Sequence, residues 1–154
     1  MTPYAATATG PAWDAAPVEP LLALRTAVRA ALLADPLVGL YVPAGRIRTG
    51  WVRDDDTSAV TLRDGATAYL GRAAGGQIVA SLSLYVDVWA EGADAAQRIG
   101  GAVARCLFDA PPVDGLEVDD WTRPAFVWHR DPDPARTMAH GSAELAAVVR
   151  SRAP

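Results

Sequence analysis

The sequence predicts an α+β fold, a single domain whose antiparallel or mixed β-sheet carries two main α-helices packed on one face. Three observations predict it. Apolar side chains recur at helical spacing over residues 20 to 34, alternate with period two over 77 to 90, and return to helical spacing over 94 to 110. Two further extended segments follow, so helix, hairpin, helix and hairpin succeed one another along the chain.

The first helix is predicted from Pro20 to Ala34. Proline suits the first helical position, and Leu21, Leu24, Val28, Ala31 and Leu32 share one face while Arg25 and Arg29 lie opposite. Asp35-Pro36 ends it, because the residue before a proline disfavours the helical region. Residues 37 to 52, broken by Gly39, Pro43, Gly45 and Gly50, are expected to form an irregular or briefly extended crossing, and the polar run from Arg53 to Ser58 a loop.

A hairpin is expected next: a strand over residues 66 to 72, a turn at Ala73-Ala74-Gly75-Gly76, and a strand from Gln77 to Ala90. On the long strand Ile78, Ala80, Leu82, Leu84, Val86 and Val88 face one way. Val79, Ser81, Ser83, Tyr85, Asp87 and Trp89 face the other, which suits a sheet with one covered and one open face. At about 3.3 Å per residue the strand spans roughly 40 Å, long enough for part of the hairpin to project from the body.

The second helix is predicted to start with Asp94 as N-cap and Gln97 closing a capping box. Ile99, Ala102, Val103, Cys106 and Leu107 form its buried stripe, and it ends near Ala110, before Pro111-Pro112. Gly100 and Gly101 each cost such a helix roughly 1 kcal/mol relative to Ala. That cost is tolerable where the backbone must approach a sheet or a neighbouring chain closely. Residues 116 to 130 and 135 to 150 read as two extended segments joined by Asp131-Pro132-Asp133-Pro134. The stretch 142 to 150 has helix formers, but a closing strand completes the sheet.

Composition narrows the function. The net charge of −4 argues against a general nucleic-acid binder, and all 14 basic residues are Arg. The lone Cys106 excludes an internal disulfide and, on the apolar face of a helix, is expected to be a buried inert thiol. The first 18 residues, with Tyr4 and Trp13 among Ala, Thr and Pro, read as a loose arm ahead of a domain over 19 to 152, or as an arm ordering against a neighbouring subunit. They lack the pattern of a secretory signal, and no apolar run is long enough for a membrane-spanning helix.

Chemistry is sparse. His129 with Asp131 and Asp133 could be drawn as a metal cluster, but the two prolines make that stretch a rigid turn, and Asp54-Asp55-Asp56 reads as a solvated loop. His140-Gly141-Ser142 lacks the framing of a nucleophile elbow. The glycines at 71, 75 and 76 are not followed by the Lys of a phosphate loop. Asp119 and Asp120, adjacent on a strand, point to opposite faces. No catalytic residue, cofactor site or metal site is therefore assigned, and the residues point away from an enzyme toward a structural or interaction module.

Several segments together resemble one family. The helix LLALRTAVRAALLADPLVGL is followed by Gly45-Arg46-Ile47, then a strand ending Val88-Trp89-Ala90, then the helical run Ala96 to Val103. Arg130 to Asp133 and Thr137 to Gly141 close the pattern. Over about residues 20 to 150 the chain resembles the tail-terminator (tail-completion) proteins of long-tailed bacteriophages and related tail-like particles. The arm and the Asp-rich loop lie outside that resemblance.

The resemblance implies a virion protein. Assembled in the host cytoplasm, it would form a ring, commonly a hexamer, that caps the head-proximal end of the tail tube, stops tube polymerisation and meets the neck. Its partners would be copies of itself, the tail tube protein and a neck or head-completion protein, with DNA passing through without sequence-specific binding and with no membrane. On that reading Val79, Tyr85, Asp87 and Trp89 offer an intersubunit surface. Arg46 and Arg48 pair with a neighbour's carboxylates or are solvated surface arginines, and Trp13 docks with the arm. Trp89 has a second reading, as an aromatic packed over its own helix. A neck adaptor between portal and tail is one alternative. A small ligand-binding domain with His129 and His140 as first contacts is another.

Overall fold

The computed structural model describes residues 19–50, 58–130 and 138–151. Its elements run α1 (Pro20–Ala34), α2 (Pro36–Tyr41), a 3-10 turn (Ala44–Arg46), β1 (Ile47–Thr49), β2 (Ala59–Arg72), β3 (Ile78–Glu91), α3 (Ala93–Cys106), β4 (Leu116–Trp121), β5 (Val127–Arg130) and β6 (Met138–Ser151). Six strands form one mixed sheet in the order β1-β2-β3-β6-β4, with β5 also on β6. The β1–β2 pair is parallel and the rest are antiparallel. This is the expected α+β class.

Helix α1 has the predicted bounds. Glu19 caps it, its carboxylate accepting the Leu22 N–H at 2.8 Å. The same carboxylate accepts the Thr67 hydroxyl at 2.7 Å, which ties the helix start to β2. Leu21, Ala23, Leu24, Val28 and Leu32 are buried. Asp35 does end α1, but it also starts α2: its Oδ1 accepts the N–H groups of Leu37 and Val38 at 2.9 and 3.0 Å, and Pro36 opens the helix. The irregular or briefly extended crossing expected over 37 to 52 is, as far as Thr49, a short helix and a 3-10 turn that sequence reading missed, followed by the brief extended segment β1.

The hairpin exists, with a longer first strand than expected. β2 begins at Ala59 rather than at residue 66, because Ala59, Val60, Thr61 and Leu62 are buried on both faces and show no alternation. Beyond Asp64 the strand is largely exposed, with Tyr69 and Leu70 uncovered, although Thr67 is half-buried and its partners Ala80 and Leu82 on β3 are buried. β3 keeps its predicted alternation: Ala80, Leu82, Leu84, Val86 and Val88 are buried, while Ile78, at the end of the row, runs past the helices and is exposed.

Helix α3 differs at both ends. Its N-cap is Gly92, not Asp94, with φ +88° and no side-chain cap. Asp94 sits inside the first turn, where a carboxylate favours the helix dipole. The helix stops at Cys106 rather than near Ala110, and Leu107, just beyond it, is fully buried. The segment expected to be extended over 116 to 130 breaks at 122–126, around Pro124, into β4 and β5. The ambiguous stretch 142 to 150 is strand.

The core lies between the helices and one face of the sheet. Leu82, Leu84, Val86 and Val88 of β3 and Leu145 and Val149 of β6 pack with Leu24, Val28 and Leu32 of α1 and Ile99 and Val103 of α3. Each such side chain contributes roughly 1.5–3 kcal/mol by leaving water. Gly100 and Gly141 are close-approach sites of the kind the Gly-Gly pair suggested. A Cβ on Gly100 would stand 2.5 Å from the Trp128 ring, and one on Gly141 within 2.6 Å of Trp128 Cε3. The approach at Gly100 is thus made by the chain's own indole, whereas Gly101 faces open space.

Candidate assembly face

The face of the sheet away from the core is organised by the register of three strands. Pairing sets Thr61, Asp87 and Ser142 in one row, Arg63, Tyr85 and Glu144 in a second, and Ala59, Trp89 and His140 in a third. β5 adds His129 opposite His140. Sequence periodicity placed Tyr85, Asp87 and Trp89 on this face. It missed Arg63 and His140, whose neighbours arrive from strands 24 and 53 residues away.

Asp87 is the hub, and it is buried, at 6% exposure, although it belongs to the face expected to be open. Its Oδ2 accepts Arg63 Nε at 3.1 Å, and its Oδ1 lies 3.0 Å from His140 Nε2. Burial pushes its carboxyl up, but the hydrogen bonds from His140 and Arg63 outweigh burial and hold it below the usual carboxylate value. The Arg63 guanidinium lies over the Tyr85 ring, 4.4 Å from its centroid. Asp87 is therefore committed to its own chain.

Trp89 does not pack over its own helix. Its indole stacks on His140 with centroids 3.9 Å apart and planes within 3°. Its Nε1 is buried with no hydrogen-bond partner among the described residues. Val79 is half-buried near the far end of β3, opposite Arg150. Arg46 and Arg48 are half-buried rather than fully solvated, and Arg48 Nε donates to the Gly45 carbonyl at 3.2 Å. Trp13 and the proposed arm, Asp54 to Asp56, and Asp131 and Asp133 lie outside the described residues.

The two histidines do not make a catalytic relay. A triad needs one imidazole to bridge a carboxylate and a hydroxyl. Here His140 meets Asp87, while a different ring, His129, lies 3.1 Å from Ser142 Oγ, and the two centroids are 5.3 Å apart. Among the described residues no group of three or more His, Cys, Asp or Glu is placed to hold a metal ion. Cys106 is half-buried rather than buried as expected, because it lies at the end of the helix, yet partial burial, with Asp35 beside it, pushes its thiol up to about 11, which leaves almost no thiolate at neutral pH. Asp120 turns back on the neighbouring backbone, while Asp119 forms a forked pair with Arg150 at 2.6 and 2.9 Å. No described helix is long and apolar enough to cross a membrane. The arrangement is a stacked, ion-paired surface.

The family match defines a structural protein of a phage-type virion tail. The chain belongs to the tail completion protein gp17 family, whose model matches residues 26–150. A chain from a solved structure described as the virion of a native gene transfer agent particle has a similar fold. Its TM-score is 0.62 at 16% identity, covering 87% of this chain and 100% of that one. No curated protein sequence matches this chain.

Proposed function

We propose that the protein forms a ring, most simply a hexamer, that caps the head-proximal end of a tail tube, stops tube polymerisation and joins the tail to the neck. The observation that carries this reading is the family match across 26–150. The open face supports it: a stacked tryptophan whose buried N–H has no partner among the described residues and a tyrosine under an arginine are the residue types favoured in interface cores. On this reading Val79, Tyr85 and Trp89 meet a neighbour, with Asp87 holding Arg63 and His140 in place beneath them. Arg46 and Arg48 lie on a second contact. A chain of net charge −4 suits a ring through which DNA passes without adhering.

Deletion of the gene followed by electron microscopy of the particles tests the proposal. Tubes of uncontrolled length, or finished tails left off their heads, are expected. Tails of normal length attached to capsids would refute it, and tube-length control with failure only at the portal would favour a neck adaptor. Within the ring, Trp89→Ala and Val79→Asp are expected to weaken assembly more than they lower the melting temperature of the isolated chain.

A further inference from the structure

Helix α1 runs down β2, away from the β2–β3 turn. Glu19 at its start accepts the Thr67 hydroxyl, Arg25 pairs with Asp64, and Arg29 donates to the carbonyl of Ile47, which lies beside Val60. The polypeptide ahead of Glu19 therefore arrives from the turn end of the sheet. Register sets which side chains it meets there. Thr67 stands opposite Leu82, Tyr69 opposite Ala80, and Arg72 opposite Ile78. Directly opposed side chains share a face, and Leu82 and Ala80 belong to the buried core row. Tyr69 and Ile78 thus lie on the helix side of the sheet, past the point where α1 begins. Tyr69 is 64% exposed, Leu70 beside it 60% and Ile78 41%. Three large apolar side chains grouped at one end of a sheet are more than singly scattered surface residues.

The length of chain before Glu19 matches that patch. Trp13-Asp14-Ala15-Ala16-Pro17-Val18 reaches about 20 Å when extended, and the strand from Thr67 to Arg72, opposite Ile78, covers roughly 16 Å. Glu19 itself has extended dihedrals, φ −60° and ψ 128°, and Pro17 disfavours the helical region for Ala16. Pro11 and Pro17 also restrict the free segment, so it loses less conformational entropy when it lies down. Gly50 and Ser58 adjoin the far end of β2, and Arg130 and Met138 the Glu91 end of β3. Only Ser151, whose Oγ accepts the Ile78 N–H, brings another chain end to this corner. We propose that residues 13–18 lie along the helix side of the β2–β3 turn end of their own chain, with the Trp13 indole covering Tyr69 and Ile78. The contact continues the helix layer over the apolar end of the sheet. It does not depend on the ring reading.

Photocrosslinking of the full chain tests it. A Tyr69→p-benzoylphenylalanine chain keeps an aromatic ring at an exposed position, and Leu70→p-benzoylphenylalanine serves as a second probe should the first fail to fold. Trypsin releases either probe in residues 64–72 and the arm in residues 1–25, because no Arg precedes Arg25. After irradiation, a crosslink between these peptides is expected, mapped by mass spectrometry to residues 11–18. The product is expected at monomer size on a denaturing gel. Adding Trp13→Ser is expected to remove most of the crosslink, since serine cannot cover the two side chains.

Every other outcome overturns the proposal. A product of dimer size joining the probe to residues 11–18 would place the arm on a second copy, and one joining it to any other segment would make this corner an interface between copies. Crosslinks to residues 152–154 would make the C-terminus the cover. Folded chains that give no crosslink from either probe would leave the patch bare, and a yield unchanged by Trp13→Ser would remove the indole as the anchor. None of these results bears on control of tube length, so the ring reading stands or falls separately.

Discussion

Gly100→Ala is the most informative single change, because two effects of opposite sign meet there. In a helix interior Ala is favoured over Gly by about 1 kcal/mol, and the position lies in the middle of α3. Against that, the new Cβ would stand 2.5 Å from Trp128 Cη2 and 3.0 Å from Cζ2, so the ring must leave its seat. Trp128 is 39% exposed. It therefore keeps roughly 120 Å² of a tryptophan's surface covered, worth about 3 kcal/mol if all of it is lost. The net expectation is a loss of about 1–2 kcal/mol, a fall of roughly 3–6 °C in melting temperature for a chain of this size. In a Trp128→Ala background the clash is gone, and the same Gly100→Ala change is expected to stabilise by about 1 kcal/mol. Thermal or urea unfolding of the four proteins of this double-mutant cycle reads the coupling directly. A Gly100→Ala variant more stable than wild type would show that Trp128 does not sit on that glycine.

Other perturbations have equally definite outcomes. Gly65→Ala would push its Cβ to 2.6 Å from the backbone oxygen of Ser83, which cannot rotate aside. A loss of about 2–4 kcal/mol is expected, and one below about 1 kcal/mol would refute the packing. Asp87→Asn is expected to cost about 2 kcal/mol at neutral pH, toward the low side for a buried pair because Arg63 and His140 keep about a fifth of their side-chain surface exposed. The folded carboxyl is held below its usual value. Its contribution is therefore complete above the unfolded value of about 3.9 and disappears as pH falls through the lower folded one. The gap between variant and wild type in a pH series of melts should accordingly close below about pH 4. A gap that persists unchanged into acid would refute the assignment of that stability to the carboxylate. Cys106 should react with iodoacetamide at pH 8 roughly a hundredfold more slowly in the native chain than in denaturant, since burial raises its thiol to about 11. Equal rates would mean that the thiol is open.

Elements bounded by local chemistry were legible in the sequence. Pro20 and the Asp35-Pro36 pair bracket α1, and the alternation of β3 reports the one covered face, so both were placed correctly. Asp35 shows the limit of that logic. A proline preceded by a capping residue ends one helix and begins the next, and the short α2 has no periodicity of its own to reveal it. The start of β2 is hidden because its first four residues are buried on both faces and show no alternation. Asp94 resembled an N-cap because its side chain is right for one, but the positive φ of Gly92 begins the helix earlier. The candidate assembly face is half legible. Tyr85, Asp87 and Trp89 follow from period two, whereas the commitment of Asp87 to Arg63 and His140 depends on a strand register that no local pattern encodes.

That register also governs the birth of the molecule. β3 finds one partner in β2 almost at once, across a short turn, but its other partner is β6, whose pairing runs from Val79 with Arg150 to Glu91 with Met138. While the ribosome is still making α3, β4 and β5, one entire edge of a fourteen-residue apolar strand has no mate. The sheet can close only after residue 151 has left the exit tunnel, so the nascent chain passes through a stage at which any other extended segment could pair with it. Copies growing side by side on one message carry the same bare edge. Synthesis at low temperature, or with a holdase present, is therefore expected to raise the soluble yield more than any substitution on the finished surface.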